Sequence, residues 1–373
     1  AVRDEIARIM GFWLALGVSG FRMDAVPFLL ETSGLVEEVH GDPQDWLRRL
    51  RAFGSRRRGD SMLLGEVNTE AKDLAKYFGD EDGDELTMQF AFLLNQSLWL
   101  SLARQEAEPL ENVIRLLPQI PPENAWAVFL RNHDELTLDK LTASQRQEVF
   151  AAFGRDADMQ LYGHGLRRRL APMLGGDRDR LRLAWSLMFT LPGTPVLLYG
   201  DEIGMGDNLA IPDRLSVRVP MQWSDEPNGG FSTAEADDLV RPLAAGRYGP
   251  RHVNVAVQRR DPDSQLNWME RLIRRRRQTP ELGWGTSTLL ETEDPSLFAH
   301  RCDWQGSTVV AVHNLGAKQA KATLELGPEA IAVDDLLELR EHKLRKGGTM
   351  DVELDAYGYL WLRARRAGQR ALG

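Results

Sequence analysis

Apolar and polar positions alternate along the chain in two different ways. Over residues 1–282, helical patterns alternate with short apolar runs that are bounded by glycine and proline. This arrangement is typical of strand–helix units that are repeated in a parallel sheet. Beyond about residue 283 the pattern changes to short alternating segments with turns between them, which predicts a separate antiparallel β-domain. We therefore expect an α/β region over 1–282 and a β-sandwich domain over 283–373.

The periodicity places the individual elements within these two regions. Strands of the first region are expected at VSGFRMD, SMLLGEV, LTMQFAF, AWAVFLRN and TPVLLYG. Helices are expected at AVRDEIARIMGFWLALG, PQDWLRRLRAFGSR, TEAKDLAKYF, QSLWLSLARQ, RDRLRLAWSLMFTLPG and SQLNWMERLIRRRRQ. Strands of the β-domain are expected at SLFAHRCDW, STVVAVHNL, KATLEL and YGYLWLRAR.

Charge and composition exclude several classes of function. The 373 residues carry a formal net charge of -9, which argues against electrostatic binding to nucleic acid or to an anionic membrane. The basic clusters 56–58, 167–169 and 274–277 are short, and we interpret them as solvated helix faces. No apolar run is long enough to span a bilayer.

Two features bear on the origin of the chain. The sequence opens directly on a helical pattern, without an initiator methionine or a leader, so we expect it to be part of a larger protein. Its single cysteine, Cys302, excludes an internal disulfide framework and fits a reducing compartment. The single cysteine favours a cytoplasmic location, whereas the start of the sequence indicates nothing about location.

Acidic residues follow three of the five predicted strands. They are Asp24, Glu66 and Asp134, and apolar packing requires none of them. In a parallel barrel the carboxyl ends of the strands converge on one face, so acids from different strands are expected to meet there. Arg22 precedes Asp24 by two residues and should project from the same strand face, and His133 adjoins Asp134. The alternative is structural: a lone Arg–Asp pair is often an internal ion pair, and a lone histidine is often part of the packing.

Paired carboxylates suit the cleavage of glycosidic bonds. One ionised acid attacks the anomeric carbon, while a second, kept protonated, donates a proton to the departing oxygen. A cation on the same strand face lowers the pKa of a carboxylate, so Arg22 is expected to keep Asp24 ionised as the nucleophile. Glu66, which follows an apolar strand, is the expected proton donor.

Three motifs carry a resemblance to a known family. GFRMDAV, LLGEVN and FLRNHDE resemble the strand-four, strand-five and strand-seven motifs of the α-amylase superfamily of retaining glycoside hydrolases, in the same order. Within that superfamily, FLRNHDELTLDKLT, RRRLAPMLGGDRDR, TLPGTPVLLYGDEIGMGDN and VRVPMQWSDEPNGGFS resemble the trehalose synthases. The resemblance covers nearly the whole chain and weakens over 32–60 and in the β-domain.

The resemblance implies roles for individual residues. Asp24 would be the nucleophile, Glu66 the general acid/base, and Asp134 the acid that binds sugar hydroxyls in the transition state. Arg22 and His133 would contact the substrate, and Arg218, together with Trp223, would line the outer pocket. Asp201 and Glu202 would fix a loop or line the pocket rim instead of taking part in catalysis.

The resemblance also implies a larger fold than this chain supplies. The superfamily has an eight-stranded (β/α)8 TIM barrel, and the five predicted strands correspond to strands four to eight, within a segment from helix three to helix eight. An open sheet would expose apolar edges, so we expect this chain to be the C-terminal portion of a barrel, either truncated or completed by another polypeptide at its N-terminal side. The residues assign no metal ligand, and the chemistry requires no cofactor. The resemblance leaves open a structural calcium ion in the full-length protein.

The expected function follows from these roles. The substrate would be a small oligosaccharide such as maltose, trehalose or a malto-oligosaccharide, and the specific hypothesis is a trehalose synthase that interconverts maltose and trehalose. Two alternatives stay open. One is a hydrolase of α-1,4-glucosides of the α-glucosidase or α-amylase type. The other is an inactive fragment that binds a glycan or a partner protein.

Overall fold

The structure of the chain is a computed structural model, and it describes residues 2–30, 42 and 44–368. The chain forms two compact units. The first unit contains Ala1–Asn95 and Val113–Val128, and the second contains Gln96–Asn112 and Phe129–Gly373.

Helices occur throughout the first three quarters of the chain. In chain order the α-helices are α1 (Val2–Ala15), α2 (Val26–Leu30), α3 (Gln44–Arg57), α4 (Ala71–Leu74), α5 (Phe92–Arg104), α6 (Glu108–Leu116), α7 (Ala143–Phe153), α8 (Leu170–Met173), α9 (Arg178–Thr190), α10 (Val255–Arg260), α11 (Gln265–Arg277) and α12 (Glu281–Trp284). Short 3-10 turns connect many of them, including Asp201–Ile203, Asp213–Val217 and Pro227–Gly230.

Strands fall into an early, mainly parallel set and a late antiparallel set. The early strands are β1 (Gly20–Met23), β2 (Met62–Gly65), β3 (Met88–Phe90), β4 (Ala125–Phe129), β5 (Leu136–Thr137), β6 (Gln160–Leu161), β7 (Gly165–Leu166) and β8 (Thr194–Val196). The late strands are β9 (Thr286–Leu290), β10 (Leu297–Trp304), β11 (Ser307–Asn314), β12 (Ala320–Glu325), β13 (Ala330–Asp335), β14 (Arg340–His342), β15 (Thr349–Leu354) and β16 (Tyr359–Arg366).

The first unit is built on the parallel strands β1–β4, which pair in chain order. Helices lie between successive strands, so the predicted α/β alternation is confirmed. Two strands are shorter than the sequence pattern suggested. The predicted strand at LTMQFAF is limited to β3 because Phe92 already begins α5, and the predicted strand at TPVLLYG is limited to β8 in the second unit.

The C-terminal region consists of two antiparallel sheets that share a core. The larger sheet has the strand order β14-β13-β16-β11-β10-β9, and the smaller pairs β12 with β15. Side chains of both sheets form one buried cluster that includes Leu297, Val312, Leu324, Val352 and Leu362. Such face-to-face packing is what a sandwich requires. The strands β9, β13, β14 and β15 were not predicted.

The other face of the larger sheet packs against helices of the second unit. The indole of Trp361 donates a hydrogen bond to the Ser186 hydroxyl on α9, at 2.8 Å. The His313 ring hydrogen-bonds the same hydroxyl at 2.9 Å. Arg363 donates to both carboxylate oxygens of Glu281 on α12. Each of the central strands β11 and β16 therefore has one face in the sandwich core and one face against a helix.

The sequence analysis interpreted all three basic clusters as solvated helix faces, but the structure shows this for only some of their residues. Arg168 and Arg169 lie in an irregular segment before α8, and Arg169 is fully buried. Arg276 on α11 is largely buried and donates to the Gly193 carbonyl at 2.9 Å, and burial lowers its pKa to about 10. That interpretation was wrong for these residues because Arg168 and Arg169 form ion pairs with Asp207 and Asp201, and Arg276 hydrogen-bonds a distant carbonyl. Within the described residues, no helix is long and apolar enough to cross a membrane.

Candidate active site

Two parallel strands of the first unit place two acids side by side. In the register of β1 and β2, Met23 lies opposite Gly65, so Asp24 and Glu66 follow at the same edge. The Glu66 amide donates to the Met23 carbonyl at 2.9 Å, which extends the ladder by one residue. Gly65 is required at this point, because a Cβ atom there would lie 2.3 Å from the Leu86 side chain.

A single guanidinium bridges the two carboxylates. Arg22 Nη1 donates to Asp24 Oδ1 at 2.7 Å, and Arg22 Nη2 donates to Glu66 Oε2 at 2.6 Å. The Arg22 side chain is 33% exposed, Glu66 24% and Asp24 76%. The cluster of Arg22, Asp24 and Glu66, called the carboxylate cluster below, is therefore open to a ligand.

The surroundings of Glu66 raise the pKa of its carboxyl group. Burial raises the pKa of Glu66, and its hydrogen bond with Asp24 raises it further, while the charge of Arg22 opposes both effects. A carboxyl group with a raised pKa is suited to donate a proton near neutral pH. The sequence argument had assigned Arg22 to Asp24 alone, whereas the structure shows that it contacts both acids.

The backbone after Asp24 adopts an unusual conformation. Ala25 has a φ of 45°, in the left-handed region that costs an L-residue about 1 to 2 kcal/mol. Its amide donates to Glu66 Oε2 at 3.3 Å. The next amide, of Val26, donates to the Glu66 carbonyl at 3.0 Å. The turn thus holds Glu66 from both ends, and strained residues of this kind often lie at functional sites.

A second polar cluster surrounds Asp134 in the second unit. Arg214 Nη1 donates to Asp134 Oδ1 at 3.1 Å, Arg218 Nη2 donates to the same oxygen, and His133 Nε2 lies 3.3 Å from Oδ2. Arg218 Nε also donates to the His133 carbonyl at 2.8 Å. The structure therefore brings the predicted Asp134, His133 and Arg218 together, and it adds Arg214.

A buried ion pair and its hydrogen bonds position the backbone around Arg218. Arg169 lies 2.9 Å from Asp201 Oδ1, and both side chains are fully buried. Arg169 also donates to the carbonyls of Tyr199 and Val217, the latter at 3.1 Å. The Tyr199 hydroxyl donates to the Val219 carbonyl at 2.6 Å. The residues on both sides of Arg218 are therefore fixed, and Asp201 has the loop-fixing contacts that the sequence suggested.

Arg131 holds the backbone of the Asp134 loop through hydrogen bonds. It is buried and donates to the carbonyls of Asp134 and Arg168, both at 2.7 Å. Burial lowers the pKa of Arg131 to about 10. The sequence reasoning missed Arg131, Arg169 and Arg214. An arginine three residues before Asp134 was a visible signal, but the partners of the other two are 30 to 80 residues away in the chain.

A cavity of about 720 Å³ opens beside Arg218 in the second unit. The lining includes Arg218 and Trp223, both of which the sequence analysis placed at an outer pocket, and Glu202, which it placed at the rim. Burial raises the pKa of the Glu202 carboxyl. The structure therefore provides an accessible acid pair in one unit and a polar cluster with an adjacent cavity in the other.

Comparison with known proteins identifies the family and the type of fold. Residues 1–285 match the family model described as alpha amylase, catalytic domain, and residues 306–363 match the sucrose hydrolase-like C-terminal domain. Among solved structures, an α-amylase from H. orenii has a TM-score of 0.72 at 20% identity, covering 98% of this chain and 64% of that one. A trehalulose synthase mutant has a TM-score of 0.65 at 21% identity, covering 97% and 68%. At these identities the structural likeness concerns the fold alone.

Curated relatives are more similar in sequence. A trehalose synthase/amylase of Mycobacterium tuberculosis is 39% identical over 332 residues, which are 87% of this chain and 55% of the relative. Trehalose synthases of Thermus thermophilus and of a Pimelobacter species are 40% and 37% identical over 84% and 87% of this chain. These alignments cover 33% and 59% of the two relatives, so the chain spans about half the length of the curated relatives it matches or less. Because the catalytic-domain model covers residues 1–285 of 373, the chain belongs to the alpha-amylase family.

Proposed function

We propose that this chain is the catalytic portion of a retaining enzyme that acts on α-glucosides, and that the enzyme interconverts maltose and trehalose. One observation carries the proposal. Arg22 bridges an accessible Asp24 and a Glu66 whose pKa is raised, which are the two carboxyl groups that a retaining mechanism needs.

The two acids divide the reaction into two displacements. In the first, an Asp24 carboxylate oxygen attacks the anomeric carbon, the glycosidic C–O bond breaks, and Glu66 gives its proton to the leaving oxygen. In the second, Glu66 takes a proton from an acceptor hydroxyl, whose oxygen attacks the same carbon and releases Asp24. Arg22 contacts both carboxylates and stabilises the negative charge that resides on one acid and then on the other.

The remaining predicted residues are assigned to substrate binding. Asp134 is proposed to bind sugar hydroxyls in the transition state, and His133 and Arg218 to hold Asp134 and to contact the sugar. The substrates are small oligosaccharides such as maltose, trehalose and malto-oligosaccharides. No step uses nucleic acid, a membrane, a metal ion or a cofactor, and a structural calcium ion in the full-length protein stays a prediction.

The curated relatives favour the mutase over the hydrolase. The relatives that share 37 to 40% identity with this chain are named trehalose synthases or trehalose synthase/amylases. In the mutase the acceptor is the retained glucose, and in the hydrolase it is water, so hydrolysis is the alternative outcome of one intermediate. The presence of Asp24, Glu66 and Asp134 speaks against an inactive glycan-binding fragment.

The finer fold assignment belongs to the same proposal. We propose that strands β1, β2, β3, β4 and β8 correspond to strands four to eight of a (β/α)8 barrel, and that a further polypeptide segment supplies the rest. This view is supported by the alignments, which cover only 55% and 33% of the lengths of two relatives. A domain boundary near residue 283 is supported by the beginning of β9 at Thr286 and by the limits of the two family models. A cytoplasmic location stays a prediction, supported by the single buried cysteine.

Incubation with maltose tests the function directly. A polypeptide that contains this chain and the complete barrel is expected to form trehalose from maltose with glucose as a minor product. Glucose without trehalose would assign the hydrolase instead. Absence of both, in a folded protein that still binds maltose, would assign the glycan-binding alternative.

A second assay tests the incomplete barrel. The 373-residue chain alone should release nitrophenol from a nitrophenyl α-glucoside far more slowly than the longer polypeptide. Equal rates with a folded, monomeric chain would contradict the proposal that a further segment is needed.

A further inference from the structure

A cavity of about 340 Å³ in the second unit is lined by residues that the proposed mechanism does not use. Its lining comes from α8, the start of α9 and the start of α11, together with Ile203, Arg247 and Tyr248. We call this space the arginine cavity, because Arg178 and Arg247 are the cations of its lining. Neither the carboxylate cluster nor the Asp134 cluster contributes to it.

The two arginines of the lining have no acidic partner. Both are exposed, and within the described residues neither guanidinium forms an ion pair with a carboxylate. Arg247 Nη2 donates instead to the Gly175 carbonyl at 3.1 Å and to the Tyr248 hydroxyl at 2.7 Å. Asp263 adds one negative charge to the lining. The arginine cavity therefore has an excess of positive charge, although the whole chain has a formal net charge of -9.

Two further arginines strengthen the positive potential beside Arg178. Arg182 and Arg271 each donate to a backbone carbonyl in the turn before α11, at 3.3 and 2.8 Å. Because carbonyls are neutral, these contacts leave both charges uncompensated. Burial lowers the pKa of Arg182, and the charges of Arg178 and Arg271 lower it further. Tyr359 and Asp179 act in the opposite direction. An anion in the arginine cavity would relieve the repulsion between these guanidinium groups.

Gln265 supplies a neutral donor to the same lining. It is the first residue of α11, and its Nε2 atom is buried without a hydrogen-bond partner among the described residues. An unpaired buried donor costs free energy, which a ligand oxygen would recover. This side chain therefore indicates a ligand that is rich in acceptor oxygens.

The remaining lining suits a small body attached to the anionic group. The Tyr248 ring and the side chains of Leu181, Ile203 and Val253 form apolar walls, and Asp263 offers a carboxylate. A pyranose has an apolar C–H face, which packs on such walls, and hydroxyls, which donate to a carboxylate. The volume lies at the lower end of the range of roughly 300 to 1,000 Å³ that is common for small-molecule sites. It therefore accommodates one sugar ring with its charged group.

We propose that the arginine cavity is a second ligand site, which binds a phosphorylated monosaccharide. The phosphoryl group pairs with the guanidinium groups of Arg178 and Arg247, whose planar forks match its oxygens. Gln265 Nε2 donates to an oxygen of the ligand. Because Tyr248 and the Gly175 carbonyl already hold Arg247, binding restricts this side chain less than it would a free one. The inference goes beyond the proposed function, and no chemical step takes place at this site.

Calorimetric titration with glucose 6-phosphate tests this inference. The longer polypeptide, which contains this chain and the complete barrel, should bind glucose 6-phosphate at least roughly tenfold more tightly than inorganic phosphate or glucose. Arg178→Ser and Arg247→Ser should each weaken this binding about tenfold, and added salt should weaken it in the wild type. Arg274→Ser is the matched control, since Arg274 is exposed on α11, pairs with Glu270 and lies outside the lining.

Gln265→Met separates a ligand contact from a structural one. The substitution keeps a similar size and removes the unpaired donor, so the melting temperature without ligand should equal or exceed that of the wild type. The affinity for glucose 6-phosphate should fall several-fold. A lower melting temperature with unchanged affinity would contradict the assignment of Gln265 to the ligand.

Competition with maltose excludes binding at the sugar-cleaving site. In an Asp24→Ala polypeptide, which is expected not to convert maltose, saturating maltose should leave the affinity for glucose 6-phosphate within about twofold. Displacement by maltose would overturn the inference. So would binding that both arginine variants leave unchanged, or that is no tighter than the binding of inorganic phosphate. These measurements use no turnover, so the formation of trehalose from maltose tests the proposed function separately.

Discussion

Two polar clusters in the chain contain titratable side chains in contrasting surroundings. The carboxylate cluster lies at the ends of two parallel strands, and Asp24 within it is 76% exposed. The histidine cluster, which consists of His300, His313 and Ser186, lies between the larger antiparallel sheet and α9, and all three residues are buried. Burial lowers the pKa of His313 to about 3 and that of His300 to about 4.

The contrast separates groups that can react from groups that support structure. Burial disfavours the charged form in both clusters, so it raises the pKa of Glu66 and lowers that of the histidines. At Glu66 the protonated form lies beside an accessible partner acid and an arginine, where a proton can be passed to a ligand. At the histidines the neutral form is enclosed. Perturbed pKa values therefore indicate a functional site only together with access.

Asp24→Ala is the strongest test of the carboxylate cluster. Without this carboxylate no glycosyl-enzyme bond can form, so kcat should fall roughly 10⁴-fold or more. A fluorosugar that traps the intermediate should label the wild type at Asp24, as seen by peptide mass spectrometry. Label on Glu66 instead would reverse the two roles.

Glu66→Ala should cause a smaller loss that depends on the substrate. The nucleophile is intact, so a substrate with a good leaving group still forms the glycosyl-enzyme, which then persists because no base activates the acceptor. Azide needs no base and should rescue the second step, giving a product that keeps the starting anomeric configuration. Rescue at Asp24→Ala should give the inverted product. The same configuration from both variants would contradict the division of roles.

Arg22→Met tests the bridge between the acids through pH dependence. The charge of Arg22 lowers the pKa of Glu66, so its removal should raise that pKa. Since Glu66 must be protonated in the first step, the basic limb of the kcat/KM profile should move to higher pH, with an activity loss of roughly 10- to 100-fold. Arg8→Met on exposed α1 is a matched control, since Arg8 pairs with Glu5 alone in the described contacts. A basic limb that does not move would show that another group controls it.

Much of the carboxylate cluster could be predicted from the sequence, because strand ends and short spacings along the chain place its residues. Asp24 and Glu66 each follow the end of an apolar strand. Arg22 lies two residues before Asp24, and side chains two residues apart in a strand project from the same face. The strained Ala25 was not visible, because nothing in its side chain indicates a left-handed conformation.

The surroundings of Asp134 were harder to predict, because the residues that contact it are distant from it in the sequence. Arg214 and Arg218 reach Asp134 across 80 and 84 residues, and Arg169 reaches Asp201 across 32. A basic triplet in a sequence does not show which of its members will be buried. The end of β3 was missed for another reason, since the apolar run through Phe92 fits a strand or a helix equally well.

Histidine substitutions provide the opposite test, with the smallest expected effect on catalysis. His313 faces the Ser186 hydroxyl, the rings of Phe298 and Tyr359 and the titratable ring of His300, while His300 faces Cys302, Ser287 and Arg276. His313→Gln should therefore leave kcat/KM within about twofold of the wild type at pH 7.

The consequence of His313→Gln should appear in the pH dependence of stability. The folded-state pKa of His313 is about 3, below the ordinary value of 6.5, so between these values the unfolded chain binds one more proton than the folded chain. Stability from this group is complete above pH 6.5 and is lost as the pH falls, by about 1.4 kcal/mol per pH unit. His313→Gln should be less stable than the wild type at pH 7, because it disturbs the bond to Ser186, yet lose roughly 2 kcal/mol less between pH 6.5 and 5. Urea unfolding at several pH values measures this slope, and His252→Gln, at an exposed position, should keep the wild-type slope. If His313→Gln also kept that slope, the ring would be charged in the folded state, and the contrast between a reactive and an enclosed cluster would not hold.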